Sequence, residues 1–80
     1  MEDYRPVALV TGSTSGIGES VARRFVQEGY NVILHSRNSE DKGRSLAAEL
    51  KSAGYIQADL ARESDRRRLI HDAVGLWGRL

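Results

Sequence analysis

The sequence predicts an α/β fold in which three parallel strands alternate with three helices. Short runs of β-branched and other apolar residues recur along the chain, as in Val7–Val10 and Asn31–Ser36. Apolar residues at helical spacing separate these runs, and glycines mark the boundaries. Parallel strands joined through helices cross over in a right-handed sense. We therefore predict a βαβαβα order of elements.

The first half of the chain has the pattern strand, helix, strand. The run Val7–Val10 is apolar throughout, which is typical of a parallel strand covered on both faces. Gly29 is placed to end the helix that follows, and Asn31–Ser36 is predicted as the second strand. The helix between them carries one apolar stripe with four-residue spacing, formed by Ile17, Val21, Phe25, Ala22 and Val26.

The second half repeats this alternation. Ser39 suits the N-cap of a second helix, and Gly54 is expected near the end of that helix. Residues 55–58 are predicted as the third strand, and the last helix is expected to begin at residues 63–64. The predicted inner faces are Leu46, Ala47 and Leu50 on the second helix and Leu69, Ile70, Ala73, Val74 and Trp77 on the third.

Residues 11–18, which join the first strand to the first helix, are the most informative segment. Glycines at positions 12, 16 and 18 allow a sharp turn and let backbone N–H groups approach a pyrophosphate. The helix that follows would direct its positive dipole end at that anion. A lone glycine pattern more often marks an ordinary turn, but its place between a buried strand and an amphipathic helix favours nucleotide binding. The spacing, Gly-x-x-x-Gly-x-Gly, differs from the Gly-x-Gly-x-x-Gly fingerprint of many dinucleotide sites.

In this segment the chain resembles the short-chain dehydrogenase/reductase family, whose first turn has the pattern Thr-Gly-x-x-x-Gly-Ile-Gly. The resemblance continues at the Asp59-Leu60 pair and at residues 77–80, which are similar to the approach to the family's fourth strand. It implies a Rossmann-like segment of a doubly wound parallel sheet with strand order 3-2-1. Residues 1–80 would then be the N-terminal part of a single dinucleotide-binding domain whose catalytic C-terminal part is absent.

The resemblance also implies the residues that bind the cofactor. The diphosphate would lie at the glycine segment, the ribose at the end of the second strand and the adenine at Asp59. Asp59 could instead be an ordinary strand-end residue before a helix. The implied set is Gly12, Ser13, Thr14, Ser15, Gly16, Ile17, Gly18, Ser36, Arg37, Asn38, Asp59 and Leu60.

The end of the second strand bears on the choice between NAD and NADP. An acidic side chain there would bind the ribose hydroxyls of NAD and repel a 2′-phosphate, but Ser36 occupies that position. Arg37 follows with a charged fork suited to phosphate, although an arginine after a strand commonly serves only to solvate a turn. NADP is therefore predicted, with NAD as the alternative. Ser15 stands where NADP-using relatives often have a basic residue, and hydroxyls of residues 13–15 could compensate by donating to the phosphate.

The family's catalytic Asn, Ser and Tyr-x-x-x-Lys residues lie downstream of the matched segment. Each tyrosine here is followed four positions later by a residue other than lysine, because the pairs are Tyr4 and Ala8, Tyr30 and Leu34, and Tyr55 and Asp59. No catalytic residue is assigned, and we expect the chain alone to be inactive. Its full-length form would transfer hydride between NADP(H) and a small carbonyl or alcohol substrate. A truncated, non-catalytic nucleotide-binding module is the alternative.

The first strand would be central in the 3-2-1 arrangement, with neighbours on both sides. In this chain it would form an apolar edge, which is an aggregation hazard. We therefore predict that the sequence is part of a longer product, and the resemblance implies that the full-length form is a homo-oligomer.

Composition narrows the remaining classes. Twelve basic and 11 acidic residues give a net charge of +1, which does not favour nucleic-acid binding, and the arginines at 66–68 fit a solvated helix face. No cysteine is present, and His35 and His71 lack acidic partners at ligand spacing, so no metal site is predicted. No stretch of the sequence approaches the length needed to span a bilayer, and residues 1–4 lack the basic and apolar regions of a signal peptide. A cytoplasmic location is expected.

Overall fold

The computed structural model describes residues 5–80. Residues 1–4, which include Tyr4 and for which the sequence predicts no signal peptide, lie outside the described part. The predicted order of elements is confirmed. They are β1 (Val7–Val10), α1 (Gly16–Gln27), β2 (Asn31–Ser36), α2 (Glu40–Leu50), β3 (Ala53–Gln57) and α3 (Glu63–Trp77).

The three strands form one parallel sheet in the order β1-β2-β3, which is the predicted 3-2-1 arrangement. In the register, Val10 lies beside Leu34 and His35 lies beside Ile56. Every residue of the central strand β2 is buried. Among residues 5–80, β1 pairs only with β2 and forms an edge of the sheet, as the sequence predicted.

The sheet separates two hydrophobic clusters because alternate residues of a strand point to opposite faces. Val32 and Leu34 pack with Ala22 of α1 and Leu46 of α2 on one face. On the other face Ile33 packs with side chains of β3 and α3. That second cluster comprises Val7, Ile33, Ile56, Ala58, Leu69 and Ala73.

The predicted apolar stripes of α1 and α3 are wider than the faces that are packed. Ala22 is fully buried on α1, but Ile17 is 84% and Val21 is 41% exposed. On α3, Leu69 is buried whereas Ile70 is 49% exposed, and Val74 is also exposed. Helical spacing identifies an apolar face, but its outer half is left uncovered by the described residues. On α2 the predicted inner face is confirmed, because Leu46 is buried and Ala47 and Leu50 pack against the cluster.

The boundary between α2 and β3 differs from the prediction. The helix ends at Leu50, and the chain reverses through Lys51, which has a φ of 64°. Gly54 therefore lies within β3, which spans Ala53–Gln57 rather than residues 55–58. The early start follows from pairing with β2, since Ala53 lies beside Val32. The other boundaries agree, with Ser39 at the N-cap of α2, Glu63 opening α3 and a φ of 89° at Gly29 after α1.

A surface ion pair joins the two helices that share one face of the sheet. Arg23 of α1 contacts Glu19 on its own helix at 3.0 Å and Glu49 of α2 at 2.5 Å. The Arg23 guanidinium lowers the pKa of the Glu49 carboxyl, chiefly by hydrogen bonding. The three arginines at 66–68 lie on the exposed side of α3, as predicted, and hydrogen-bond to acidic side chains or backbone oxygens.

Candidate functional site

An open cleft of about 500 Å³ lies where the carboxyl ends of the three strands meet. In open parallel sheets this edge is where ligands bind. The glycine turn forms one wall, and the segments after β2 and β3 form the other. The lining residues are Thr11, Gly12, His35, Arg37, Ala58, Asp59, Leu60 and Ala61.

The turn between β1 and α1 requires a glycine at its start. Gly12 has a φ of 64°, a left-handed conformation that residues with a Cβ rarely adopt. The Gly12 carbonyl accepts hydrogen bonds from the Ser15 N–H at 3.3 Å and from the Ser15 hydroxyl at 2.9 Å. Ser15 is the N-cap of α1, and its own carbonyl accepts the Glu19 N–H at 2.7 Å. These bonds fix the exit from the strand and the start of the helix.

The inner side of the turn is bound to His35 at the end of β2. The Gly12 N–H donates to His35 Nδ1 at 3.2 Å, and the Ser13 N–H donates to the His35 carbonyl at 3.0 Å. In return the His35 N–H donates to Ser13 Oγ at 2.8 Å. His35 is 4% exposed. Its Nε2 lies 2.9 Å from the carbonyl oxygen of Ala58, the residue that follows β3. His35 thus connects the ends of all three strands.

The hydroxyl groups of Ser13 and Ser15 are hydrogen-bonded within the protein. Ser13 is fully buried, and its hydroxyl donates to the His35 carbonyl at 3.2 Å. Thr14 is 7% exposed, and the Ser15 hydroxyl is used by the Gly12 carbonyl. Whether any of these hydroxyls donates to a phosphate stays a prediction. Their hydrogen bonds hold the turn itself.

Donors for an anion remain at the first turn of α1. The first N–H groups of a helix have no acceptor within it, and here they belong to Gly16, Ile17 and Gly18. A Cβ added at Gly16 would meet nothing within 4 Å, so open space lies beside this amide. A Cβ at Gly18 would lie 2.1 Å from the Gly12 carbonyl oxygen. Gly18 lets the helix pack against the turn, whereas Gly16 leaves room for a ligand.

The hydroxyl of Ser36, at the end of β2, is hydrogen-bonded to two neighbouring residues. The residue is 4% exposed, and its hydroxyl lies 2.5 Å from the Tyr55 hydroxyl of β3. Its Oγ also accepts the Ser39 N–H at 3.2 Å. The Tyr55 ring packs against α2 at Gly43. A Cβ at Gly43 would lie 2.2 Å from the ring, so the ring takes the space of a side chain there. Ser36 therefore occupies a polar pocket with two neighbouring donors.

Arg37 and Asp59 face each other across the cleft. Arg37 Nε lies 3.5 Å from Asp59 Oδ2, and the arginine side chain is 67% exposed. The backbone of Arg37 is fixed, because its carbonyl accepts the Gln57 side-chain amide at 2.9 Å. Asn38 is exposed on the same segment, and Leu60 is 37% exposed at the cleft. The structure thus brings Arg37 to one cleft with Asp59 and Leu60, whereas Ser36 and Asn38 do not line that cleft.

Asp59 also has a local structural role. Its Oδ1 accepts the Ala61 N–H at 3.0 Å, and its own N–H donates to Asp65 Oδ2 of α3 at 2.8 Å. These bonds fix the path from β3 to α3, which is the strand-end role that the sequence left open. The remaining oxygen, Oδ2, faces Arg37.

Features outside the cleft do not form a second candidate site within residues 5–80. An open depression of about 620 Å³ lies on the outer side of α1, with Val21, Phe25 and Tyr30 among its lining residues. It is larger than the cleft, but none of the motif residues lines it. Among residues 5–80, no group of three or more histidine or acidic side chains is placed to hold a metal ion. None of the helices in this part of the chain is long and apolar enough to cross a bilayer.

The sequence pattern indicates no site role for His35 or Tyr55. The available signal for His35 is its position beside the apolar residues 32–34 of the same strand. A polar side chain in a buried strand requires hydrogen-bond partners. Which partners it finds depends on the pairing of β2 with β1 and β3, and spacing along the chain does not give that pairing.

Comparison with known proteins identifies the family. The model of the short chain dehydrogenase family matches residues 6–80. The chain is 52% identical to the granaticin polyketide synthase putative ketoacyl reductase 2 of Streptomyces violaceoruber, over 94% of this chain and 30% of the relative. It is 43% identical to L-fucose dehydrogenase of Oryctolagus cuniculus, over 92% of this chain and 26% of the relative.

A solved structure agrees with these relatives. The 3-ketoacyl-(acyl-carrier-protein) reductase from Brucella melitensis, complexed with NADH, superimposes with a TM-score of 0.87 at 32% identity. The match covers 94% of this chain and 31% of that protein, so the chain spans less than a third of each of these three relatives. Because the family model matches residues 6–80, the chain belongs to the short-chain dehydrogenase family.

Proposed function

We propose that the chain is the cofactor-binding part of an oxidoreductase that transfers a hydride between a nicotinamide dinucleotide and a carbonyl or alcohol substrate. The observation that carries this proposal is the start of α1, where amides without helical acceptors lie beside the open space at Gly16. Two relatives support it, since one is the granaticin polyketide synthase putative ketoacyl reductase 2 and the other, a 3-ketoacyl-(acyl-carrier-protein) reductase, was solved with NADH.

The residues of the cleft fit the parts of such a cofactor. The diphosphate would accept hydrogen bonds from the amides of Gly16, Ile17 and Gly18, with the helix dipole adding favourable charge. The adenosine would lie between the glycine turn and Asp59-Leu60. Ile17 is 84% exposed beside the turn, which leaves an apolar surface for the remainder of the cofactor. The bound nicotinamide would supply the hydride chemistry, while this chain binds and orients it.

We further propose that NADP(H) is preferred over NAD(H). No carboxylate stands at Ser36 to repel a 2′-phosphate, and the exposed Arg37 is within reach of the ribose side of the cleft. Arg37 contacts Asp59, but an exposed pair of this kind is worth only about 0 to 1 kcal/mol. A charge-assisted hydrogen bond to phosphate is worth about 1.5 to 3 kcal/mol. The phosphate would therefore draw Arg37 from its carboxylate partner.

Binding and catalysis are separate parts of this proposal. None of the three tyrosines is followed by a lysine at the family's spacing, so we expect no turnover from this chain alone. The catalytic residues would come from sequence outside it. The same proposal includes a homo-oligomeric full-length protein with a cytoplasmic location and no nucleic-acid partner.

Calorimetric titration with NADPH and NADH, together with a hydride-transfer assay on ketone and alcohol substrates, tests this function. The protein should be used in the longest form that its coding sequence encodes. We expect binding of both cofactors, tighter binding of NADPH, and turnover only in a form that contains Tyr-x-x-x-Lys. Binding without turnover in such a form would favour the non-catalytic nucleotide-binding module. No heat with either cofactor would refute both functions.

A further inference from the structure

The geometry points to His35 as a positioning residue for the dinucleotide. This inference rests on the proposed function and extends it, because His35 contacts the turn that would hold the diphosphate. Its side chain joins two strand ends, through Gly12 after β1 and Ala58 after β3. Both contacted backbone groups line the candidate cleft.

The hydrogen-bond partners determine the form of the imidazole. The Ala58 carbonyl can only accept, so the Nε2 atom that lies 2.9 Å from it carries the proton. The Gly12 N–H can only donate, so Nδ1 at 3.2 Å must be the unprotonated acceptor. His35 is therefore neutral and in its Nε2–H tautomer. No other form of the ring satisfies both contacts.

The Gly12 contact matters because of where it lies in the turn. Gly12 has a φ of 64°, and its carbonyl accepts both the N–H and the hydroxyl of Ser15, the N-cap of α1. A change in the Gly12 peptide would therefore shift the start of the helix. These contacts run from Nδ1 of His35 through Gly12 and Ser15 to the start of α1. The amides of residues 16–18 lie at that helix start.

Within residues 5–80, the charged groups at the strand ends beside the ring are Arg37 and Asp59. Arg37 lies just after β2 and pairs with Asp59, two residues after the end of β3. The Asp59 N–H is occupied by Asp65 at the start of α3. On the side of the turn, residues 11–15 contain no titratable side chain. The ring is thus held by backbone groups rather than by a charge partner.

Two substitutions separate positioning from general structural support. In His35→Asn the side-chain oxygen stands at the place of Nδ1 and can still accept the Gly12 N–H, but the bond to Ala58 is lost. In His35→Leu both bonds are lost. If Nδ1 holds the turn in its binding form, Leu should weaken NADPH and NADH binding by about five- to tenfold, whereas Asn should stay within about twofold of the parent.

Calorimetric titration of both variants, with unfolding measured beside it, supplies the test. His71→Asn is the matched control, because the His71 side chain is 89% exposed on α3 and away from the cleft. Equal affinities for His35→Leu and the parent would overturn the inference. Equal losses in Asn and Leu would also overturn it, since a general packing role would then suffice. Absence of binding in the unsubstituted protein would instead refute the proposed function.

A second measurement does not depend on whether the Leu variant folds. In protein labelled with nitrogen-15 at histidine, the ring nitrogens of His35 should show the Nε2–H tautomer. A scalar coupling or a protected exchange rate at the Gly12 amide should accompany it. A protonated Nδ1, or a Gly12 amide that exchanges freely, would overturn the inference.

Discussion

The two halves of the glycine segment differ in whether their hydrogen-bond donors find acceptors within the protein. In residues 11–15, the amides of Gly12 and Ser13 and the hydroxyls of Ser13 and Ser15 are bonded to protein atoms. In residues 16–18, the amides open the helix and have no acceptor within it. The hydrogen bonds of the first half hold the turn, and the amides of the second half are the ones proposed to bind the diphosphate. One continuous motif thus combines a structural part with a proposed ligand-binding part.

The two glycines of the second half sharpen this comparison. A Cβ at Gly18 would collide with the Gly12 carbonyl oxygen at 2.1 Å, whereas a Cβ at Gly16 would meet no atom within 4 Å. Gly18 is therefore required by the packing of helix against turn. Gly16 is not required by any contact in the structure, so a requirement for it would have to come from a ligand.

The largest effect is expected for Gly18→Ala. The added methyl group must push the helix away from backbone atoms of the turn, which costs about 1 to 3 kcal/mol of stability or more. Cofactor affinity should fall by more than about 100-fold because the amides leave their positions. Calorimetry and chemical denaturation measure the two losses. The control is Gly75→Ala on α3, where a Cβ, unlike one at Gly18, meets nothing within 4 Å. Unchanged binding in Gly18→Ala would contradict the assigned packing role.

Arg37→Leu should reduce NADPH affinity by roughly ten- to 100-fold, since it removes one charge-assisted hydrogen bond to the 2′-phosphate. NADH affinity should change by less than about twofold. Arg24→Leu is a suitable control because Arg24 is an exposed α1 arginine paired with Glu28. Equal losses for NADPH and NADH would mean that Arg37 serves the fold or the adenosine rather than the phosphate.

Ser36→Asp should move the ratio of NADPH to NADH affinity by about tenfold toward NADH. The new carboxylate would repel a 2′-phosphate and could accept the hydroxyl of Tyr55 and the N–H of Ser39. These two donors would lower the free-energy cost of burying a carboxylate at this position. Ser36→Ala serves as the control and should keep the preference for NADPH. An unchanged ratio in Ser36→Asp would count against the assignment of the ribose site.

The smallest effect is expected for Tyr55→Phe. It removes the hydroxyl that lies 2.5 Å from Ser36 Oγ but keeps the ring packed beneath Gly43. Stability should fall by about 0.5 to 1.5 kcal/mol, the usual net value of one hydrogen bond. The cofactor ratio should shift by less than about threefold. A larger shift would show that Tyr55 itself contributes to the choice of cofactor.

The order of elements could be predicted because it depends on local patterns. β1 and β2 have the predicted bounds, since each is an apolar run next to a turn signal. β3 was placed two residues late because Gly54 resembled a helix stop. In the fold Gly54 lies under α3, where a Cβ would be 3.0 Å from Leu76. That contact joins residues distant in sequence, and no local pattern indicates it.

The sequence predicted which segments meet at the candidate site, but not the contacts between them. The position of the glycine segment between strand and helix indicates an anion site, and parallel pairing brings Arg37 and Asp59 to the same edge. The hydrogen bonds between Ser13 and His35, and that of the His35 ring to Ala58, depend on how the strand ends align. Such contacts follow from sheet register, which the spacing of residues along one strand does not contain.

The most direct test of the central claim compares Gly16→Ala with the Gly75→Ala control in the same calorimetric titration. Both positions lack contacts within 4 Å and both lie in helices, so both variants should be as stable as the parent or up to about 1 kcal/mol more stable. We predict that Gly16→Ala lowers NADPH and NADH affinity by at least about tenfold, because its methyl group occupies the space of the diphosphate. Gly75→Ala should leave both affinities unchanged. Full cofactor affinity in Gly16→Ala would contradict the account, because the start of α1 would then not be the diphosphate site.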